Sequence, residues 1–194
     1  MSNNKRKGSN FEGEICKILS LWWSNGKRDD LFWKSYGSGN RATIRTKLNK
    51  FTEGQYGDIC STSSLSVLLT RFFTFEIKKG YPRLSFNDIL DSNSKKNNYW
   101  FWFNKIENTI NYSKTISWVL IHKKNNREIL LFLPFSIYKK IVNKINNSFK
   151  KKIIIYYENK KIVGLLFKEF LEKVNPSIIS SLFKEIKNDK KINN

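Results

Sequence analysis

Phe72-Phe73-Thr74-Phe75-Glu76-Ile77-Lys78-Lys79 is the stretch on which the reading of this chain turns. Its residues are aromatic and β-branched, and Gly80-Tyr81-Pro82 closes it, so it reads as a β-strand. Side chains alternate across a strand. Phe73, Phe75 and Ile77 therefore leave one face, and Thr74, Glu76 and Lys78 leave the other. An acid and an ammonium group two residues apart project side by side, about 7 Å apart along the strand. On a solvated face such a pair is an ordinary surface ion pair worth little. Beside a second carboxylate it becomes a site.

Working outward, Gly57-Asp58-Ile59-Cys60 begins a shorter strand-like piece, Ser61 to Ser64 breaks it, and Leu65 to Leu69 resumes apolar character. A hairpin of Asp58 to Leu69 with Phe72 to Lys79 brings Asp58 and Glu76 to one end. Two carboxylates that close repel, and one keeps its proton near neutral pH unless a cation lies between them. That is the physical reason to infer a metal ion. The Ile77 carbonyl offers a third hard oxygen. Carboxylates holding Mg²⁺, with Mn²⁺ as a substitute, are a common means of hydrolysing a phosphodiester, and the lysine holds or polarises the attacking water.

Before this lies a helix in which Phe11, Ile15, Ile18, Leu19 and Trp22 recur at helical spacing, capped by Ser9 or Asn10 and ended by Asn25-Gly26. Leu31 to Ser35 reads as a strand running into the glycine-rich turn Tyr36-Gly37-Ser38-Gly39-Asn40. Arg41 to Lys50 is basic and weakly structured. After Gly80 come helical starts at Ser85 to Leu90 and Tyr99 to Asn108, then strands at Thr115 to His122 and Glu128 to Leu133. A helix opens at Pro134 and runs to about Ile145, and a hairpin of Ile153 to Tyr157 with Ile162 to Phe167 precedes helical pieces to Lys187. This order predicts an α/β fold with a mixed central sheet flanked by helices. At 194 residues the chain is read as one domain, with a core over about 8–134 and a basic extension over about 135–194.

The chain carries 36 Lys and Arg against 16 Asp and Glu, a formal charge of +20. Self-repulsion on that scale fits a chain that meets a polyanion, with nucleic acid the first candidate, although a lysine- and asparagine-rich composition inflates the count everywhere. Lys5, Arg6, Lys7, Arg41, Arg45, Lys47 and Lys50 form a backbone-binding set, with Ser38 a further phosphate contact; a plain solvated surface is the competing reading. Two cysteines and one histidine exclude a disulfide framework and a zinc site. No apolar run approaches a membrane span, and the expectation is a soluble intracellular protein. The aromatic run Tyr99-Trp100-Phe101-Trp102-Phe103 reads as core ahead of base stacking, and His122 as structural.

The string Gly57-Asp58 followed a strand later by Glu76-Ile77-Lys78 resembles the D…ExK signature of the PD-(D/E)xK nuclease superfamily, with Gly57 where the superfamily name has proline. Gly8-Ser9-Asn10-Phe11-Glu12-Gly13-Glu14 looks like the Gly-x-x-x-Glu-Arg-Glu opening of archaeal Holliday-junction resolvases, with Gly13 in place of arginine. Ser35-Tyr36-Gly37-Ser38 is similar to their serine-containing turn. The match spans about Gly8 to Gly80, and the insertion from Arg41 to Tyr56 departs from it. The resemblance implies a restriction-endonuclease-like core and a Mg²⁺-dependent DNA endonuclease, with Asp58, Glu76 and Lys78 catalytic and Glu12 completing the metal shell. It also implies a homodimer, because resolvases cut two strands with two sites. Glu14 is the fallback for Glu12, and a Ser9–Glu12 capping box is the structural alternative. Against junction resolution stands a sequence-specific, restriction- or homing-type enzyme, and from another class a non-catalytic basic DNA-binding module.

Overall fold

The computed structural model describes residues 3–35, 56–91, 98–157 and 159–192. The decisive stretch is strand β3, Phe73–Lys79, at one edge of a five-stranded sheet. Beside it runs β4 (Ser117–Lys123), in parallel, with Glu76 level with Leu120 and Lys78 level with His122. A parallel neighbour requires a crossover, which the helix Tyr99–Ser113 supplies. Strands β5 (Ile129–Pro134), β6 (Lys152–Tyr157) and β7 (Lys160–Leu166) extend the sheet with antiparallel pairing only, in the order β3-β4-β5-β7-β6. The mixed sheet expected from the order of elements is borne out.

Helices cover both faces. In chain order they are α1 (Asn3–Trp23), α2 (Val67–Phe72), α3 (Asp88–Asp91), α4 (Tyr99–Ser113), α5 (Phe135–Ile145), α6 (Phe167–Lys173) and α7 (Pro176–Ile192), among the described residues. Phe73, Phe75 and Ile77 of β3 pack into one core with Phe11, Ile15 and Leu19 of α1, and with Ile141, Phe170 and Leu182 from α5, α6 and α7. On the other face Tyr99, Trp102, Phe103 and Ile106 of α4 pack against Trp118, Leu120 and Phe132. Each such side chain contributes roughly 1.5–3 kcal/mol by leaving water, so these two stripes set the rotation of α1 and α4 about their axes. The alternation read from β3 is thereby explained: its aromatic face meets α1, and the face bearing Glu76 and Lys78 meets α4. Most of the aromatic run belongs to this second core, although Phe101 remains 45% exposed.

Three local expectations are corrected. The hairpin of Asp58 to Leu69 with β3 does not form. Strand β2 (Ile59–Ser61) instead pairs antiparallel with β1 (Phe32–Lys34), Trp33 opposite Cys60. The apolar run at Leu65 to Leu69 enters α2, which leads straight into β3; Leu69 and Phe72 are buried three residues apart, a helical spacing that a run this short does not reveal. Finally, α1 begins at Asn3, so neither Ser9 nor Asn10 caps it. Its end is as expected. Asn25 and Gly26 take positive φ, and the Gly26 N–H donates to the Leu21 carbonyl at 2.7 Å. No described helix is long and apolar enough to cross a membrane.

Candidate active site

Asp58 reaches β3 through one parallel bridge, Gly57 to Phe75, at the outer edge of the sheet. Gly57 has φ +82°, and a Cβ there would lie 2.3 Å from the Phe75 carbonyl oxygen and 3.0 Å from its nitrogen. Proline, locked near φ −65°, cannot adopt this backbone, and alanine would overlap the strand. Glycine before the aspartate is thus the condition for bringing the two segments together. Gly57→Ala should lower stability by about 3 kcal/mol or more in urea denaturation, the sum of a strained φ and an overlapping backbone contact. A loss below about 1 kcal/mol would mean that the bridge is not needed.

Past Gly57 the backbone is held on both sides. The Asp58 N–H donates to the Phe75 carbonyl at 2.7 Å, and its own carbonyl accepts from the Ser35 N–H at 3.0 Å. Its side chain turns back along β3, where Oδ2 accepts from the Ile77 N–H at 2.6 Å. Asp58 therefore grips β3 on either side of Glu76. Both acids are buried, each 4% exposed.

Glu76 Oε1 receives two ammonium groups, Lys78 Nζ at 2.5 Å and Lys105 Nζ at 2.8 Å. Burial pushes its carboxyl upward, but Lys78 and Lys105 outweigh burial and hold it below the usual carboxylate range. Asp58 goes the other way. Burial and then the charge of Glu76 raise it to about 7, and Lys78 and the Ile77 N–H offset only part of that. Lys78 is pushed down by burial, yet Glu76 and Asp58 prevail and raise it, so it stands as a cation. One acid is held ionised and the other keeps its proton to well above the usual carboxylate range, the asymmetry that like charges in one buried site produce.

Glu12 lies one residue beyond Phe11 on α1 and is half-buried. Burial raises its carboxyl, Lys78 and Lys34 draw it down, and Glu76 adds to the rise. Its charge in turn raises Asp58. Glu14 is exposed and faces Lys123 at 3.9 Å. The capping box fails because Ser9 lies within α1, where its hydroxyl accepts from Lys34 Nζ at 2.7 Å. Of the basic set, Ser38, Arg41, Arg45, Lys47 and Lys50 lie outside the described residues, and Lys5, Arg6 and Lys7 fall in the first turns of α1.

His122 is buried on β4. Its Nδ1 meets the Tyr99 hydroxyl at 2.9 Å, its Nε2 faces the Gly80 carbonyl at 3.4 Å, and burial pushes it down to about 4. A neutral, doubly engaged imidazole in the core is structural. Cys16 and Cys60 are free thiols, the first pushed by burial to about 12.

Among the described residues no three His, Cys, Asp or Glu side chains gather closely enough to form a metal cluster. The pair nevertheless fits a hard divalent cation: Asp58 and Glu76 offer carboxylate oxygens, and burial together with the charge of Glu76 holds the Asp58 carboxyl up, a penalty that a cation between the two would relieve. The sequence reading missed Lys105 and Lys34. Each is one lysine in a lysine-rich chain, and nothing local marks it; only the packing of α4 and β1 brings it to an acid.

Comparisons with curated proteins and with solved structures found no match. A family profile matches residues 3–181, a span that includes Glu12, Asp58, Glu76 and Lys78. The chain belongs to that family of PD-(D/E)xK nucleases, described as "Phage putative PDDEXK endonuclease".

Proposed function

We propose that this nuclease is a divalent-metal-dependent DNA endonuclease whose working residues are Asp58, Glu76 and Lys78, assisted by Glu12. The observation that carries the reading is the buried Asp58–Glu76 pair, in which Glu76 bears Lys78, and burial followed by the charge of Glu76 drives the Asp58 carboxyl up to about 7. A structural ion pair needs no second buried acid, whereas a cation site does. Asp58 and Glu76 would hold Mg²⁺ or Mn²⁺, with Glu12 joining directly or through water. The ion supplies charge neutralisation on the phosphoryl oxygens and a water of lowered pKa. Lys78, held cationic on Glu76, orients the water oxygen for in-line attack on phosphorus. A new P–O bond forms as the P–O3′ bond breaks, the water gives up a proton to solvent and O3′ takes one up, leaving the 5′-phosphate and 3′-hydroxyl that the superfamily resemblance implies.

The substrate favoured is branched DNA, on the resolvase-like sequence from Gly8 to Glu14 within α1 and the similar serine-containing string Ser35-Tyr36-Gly37-Ser38, with two copies of the chain cutting two strands. The long basic insertion supports the rival, a sequence-reading enzyme. The test is a panel of four-way junction, flap, single strand and linear duplex at matched salt, since backbone affinity is salt-driven and would otherwise blur the comparison. Mg²⁺ or Mn²⁺ is expected to support cleavage, with the junction cut fastest, and Ca²⁺ to support binding with little turnover. Cleavage that persists undiminished in EDTA would exclude this chemistry, and equal rates on junction and duplex would exclude junction specificity.

A further inference from the structure

Lys78 and Lys105 both contact Oε1 of Glu76, yet a single ammonium group is enough to neutralise a single carboxylate. The two lysines are not equivalent. The Lys78 side chain is 18% exposed and sits on β3 two residues from its partner, whereas that of Lys105 is 45% exposed and reaches in from α4. Lys105 can withdraw into solvent without exposing apolar core, because its helix is already anchored by Trp102, Phe103 and Ile106. Lys78 has no such freedom.

We propose that Lys105 is a stand-in cation: in the metal-free protein its ammonium group occupies the place on Glu76 that a divalent ion takes, and it is displaced when the ion binds. This rests on the metal-dependent reading above. Lys105 is then a positioning residue that keeps Glu76 compensated and buried until the ion arrives. Ion binding competes with it, so the apparent affinity of the intact protein is weaker than the oxygens alone would give.

The test is calorimetric titration of the full chain with Mn²⁺ or Ca²⁺ at low ionic strength, without DNA. Lys105→Gln should bind the ion about tenfold tighter than the parent chain, because a unit positive charge next to the liganding oxygen is gone. Lys105→Arg, which keeps the charge, should stay within about threefold of it. Lys168→Gln removes the same charge from a side chain that is 81% exposed on α6 and controls for net charge. Thermal melts give a second readout: a saturating ion should raise the melting temperature of Lys105→Gln more than that of the parent. A purely structural Lys105 predicts the reverse, equal or weaker binding in Lys105→Gln, and that result overturns the proposal. A gain matched by Lys168→Gln overturns it as well. Absence of ion binding in parent and variants alike would bring down the metal-dependent reading itself, and the proposal with it.

Discussion

Asp58→Asn is expected to yield a protein that is more stable than the parent in EDTA at pH 8 and that cleaves DNA at least about 100-fold more slowly. Asp58 is buried beside Glu76, and the folded state raises its carboxyl to about 7. A raised carboxyl means that the fold holds a proton which the unfolded chain has released, so this group favours folding least at high pH. Its contribution is most favourable below about pH 4 and is lost as the pH rises through 7. A shift of this size corresponds to roughly 2–4 kcal/mol at pH 8. Asparagine keeps an oxygen to accept from the Ile77 N–H and carries no charge, so it relieves the repulsion and retains the bond. Urea denaturation of both proteins in EDTA from pH 4 to 8 should show a difference that grows with pH and nearly vanishes at the acid end. An Asp58→Asn variant less stable than the parent at pH 8 would show that no charge strain is stored there. Strain relieved at the expense of turnover is the pattern of a working site.

Lys78→Ala should lower cleavage by about 10² or more while DNA binding stays within a few-fold of the parent, because it removes the group that orients the nucleophile rather than a share of diffuse charge. The matched control is Lys79→Ala. Lys79 belongs to the opposite face of β3, where its ammonium group lies 5.2 Å from the centroid of the Phe11 ring, so its removal subtracts the same charge and about 0.5–1 kcal/mol of stability without touching Glu76. The Lys78 variant should still fold, since Lys105 remains to compensate Glu76. Single-turnover rates and binding isotherms separate the outcomes. Equal losses from the two substitutions would remove Lys78 from the mechanism. Losses at Asp58→Ala and Glu76→Ala that fail to add to that of Lys78→Ala would mark the three as one unit.

Residues 73 to 79 show how far local pattern reaches. A two-residue period and a closing glycine place Glu76 and Lys78 on one face whatever surrounds them, because alternation is a property of the extended backbone itself. The amphipathic stripe of α1 and the pair of strands around the turn at Asn125-Asn126 are local in the same sense, and so is the class of fold that follows from their order. The partner of each element is not local. Asp58 arrives at β3 by a single parallel bridge rather than a hairpin, since the burial of Leu69 and Phe72 turns the intervening segment into α2. Ser9 lies inside a helix that extends upstream of it and meets Lys34, and Lys105 crosses from α4 to Glu76, 29 residues away in the chain. Sequence by itself determined which residue types carry the chemistry and which face of their strand they share. Tertiary structure alone decided the charge each one bears, because desolvation and Coulomb energy depend on neighbours brought from distant parts of the chain.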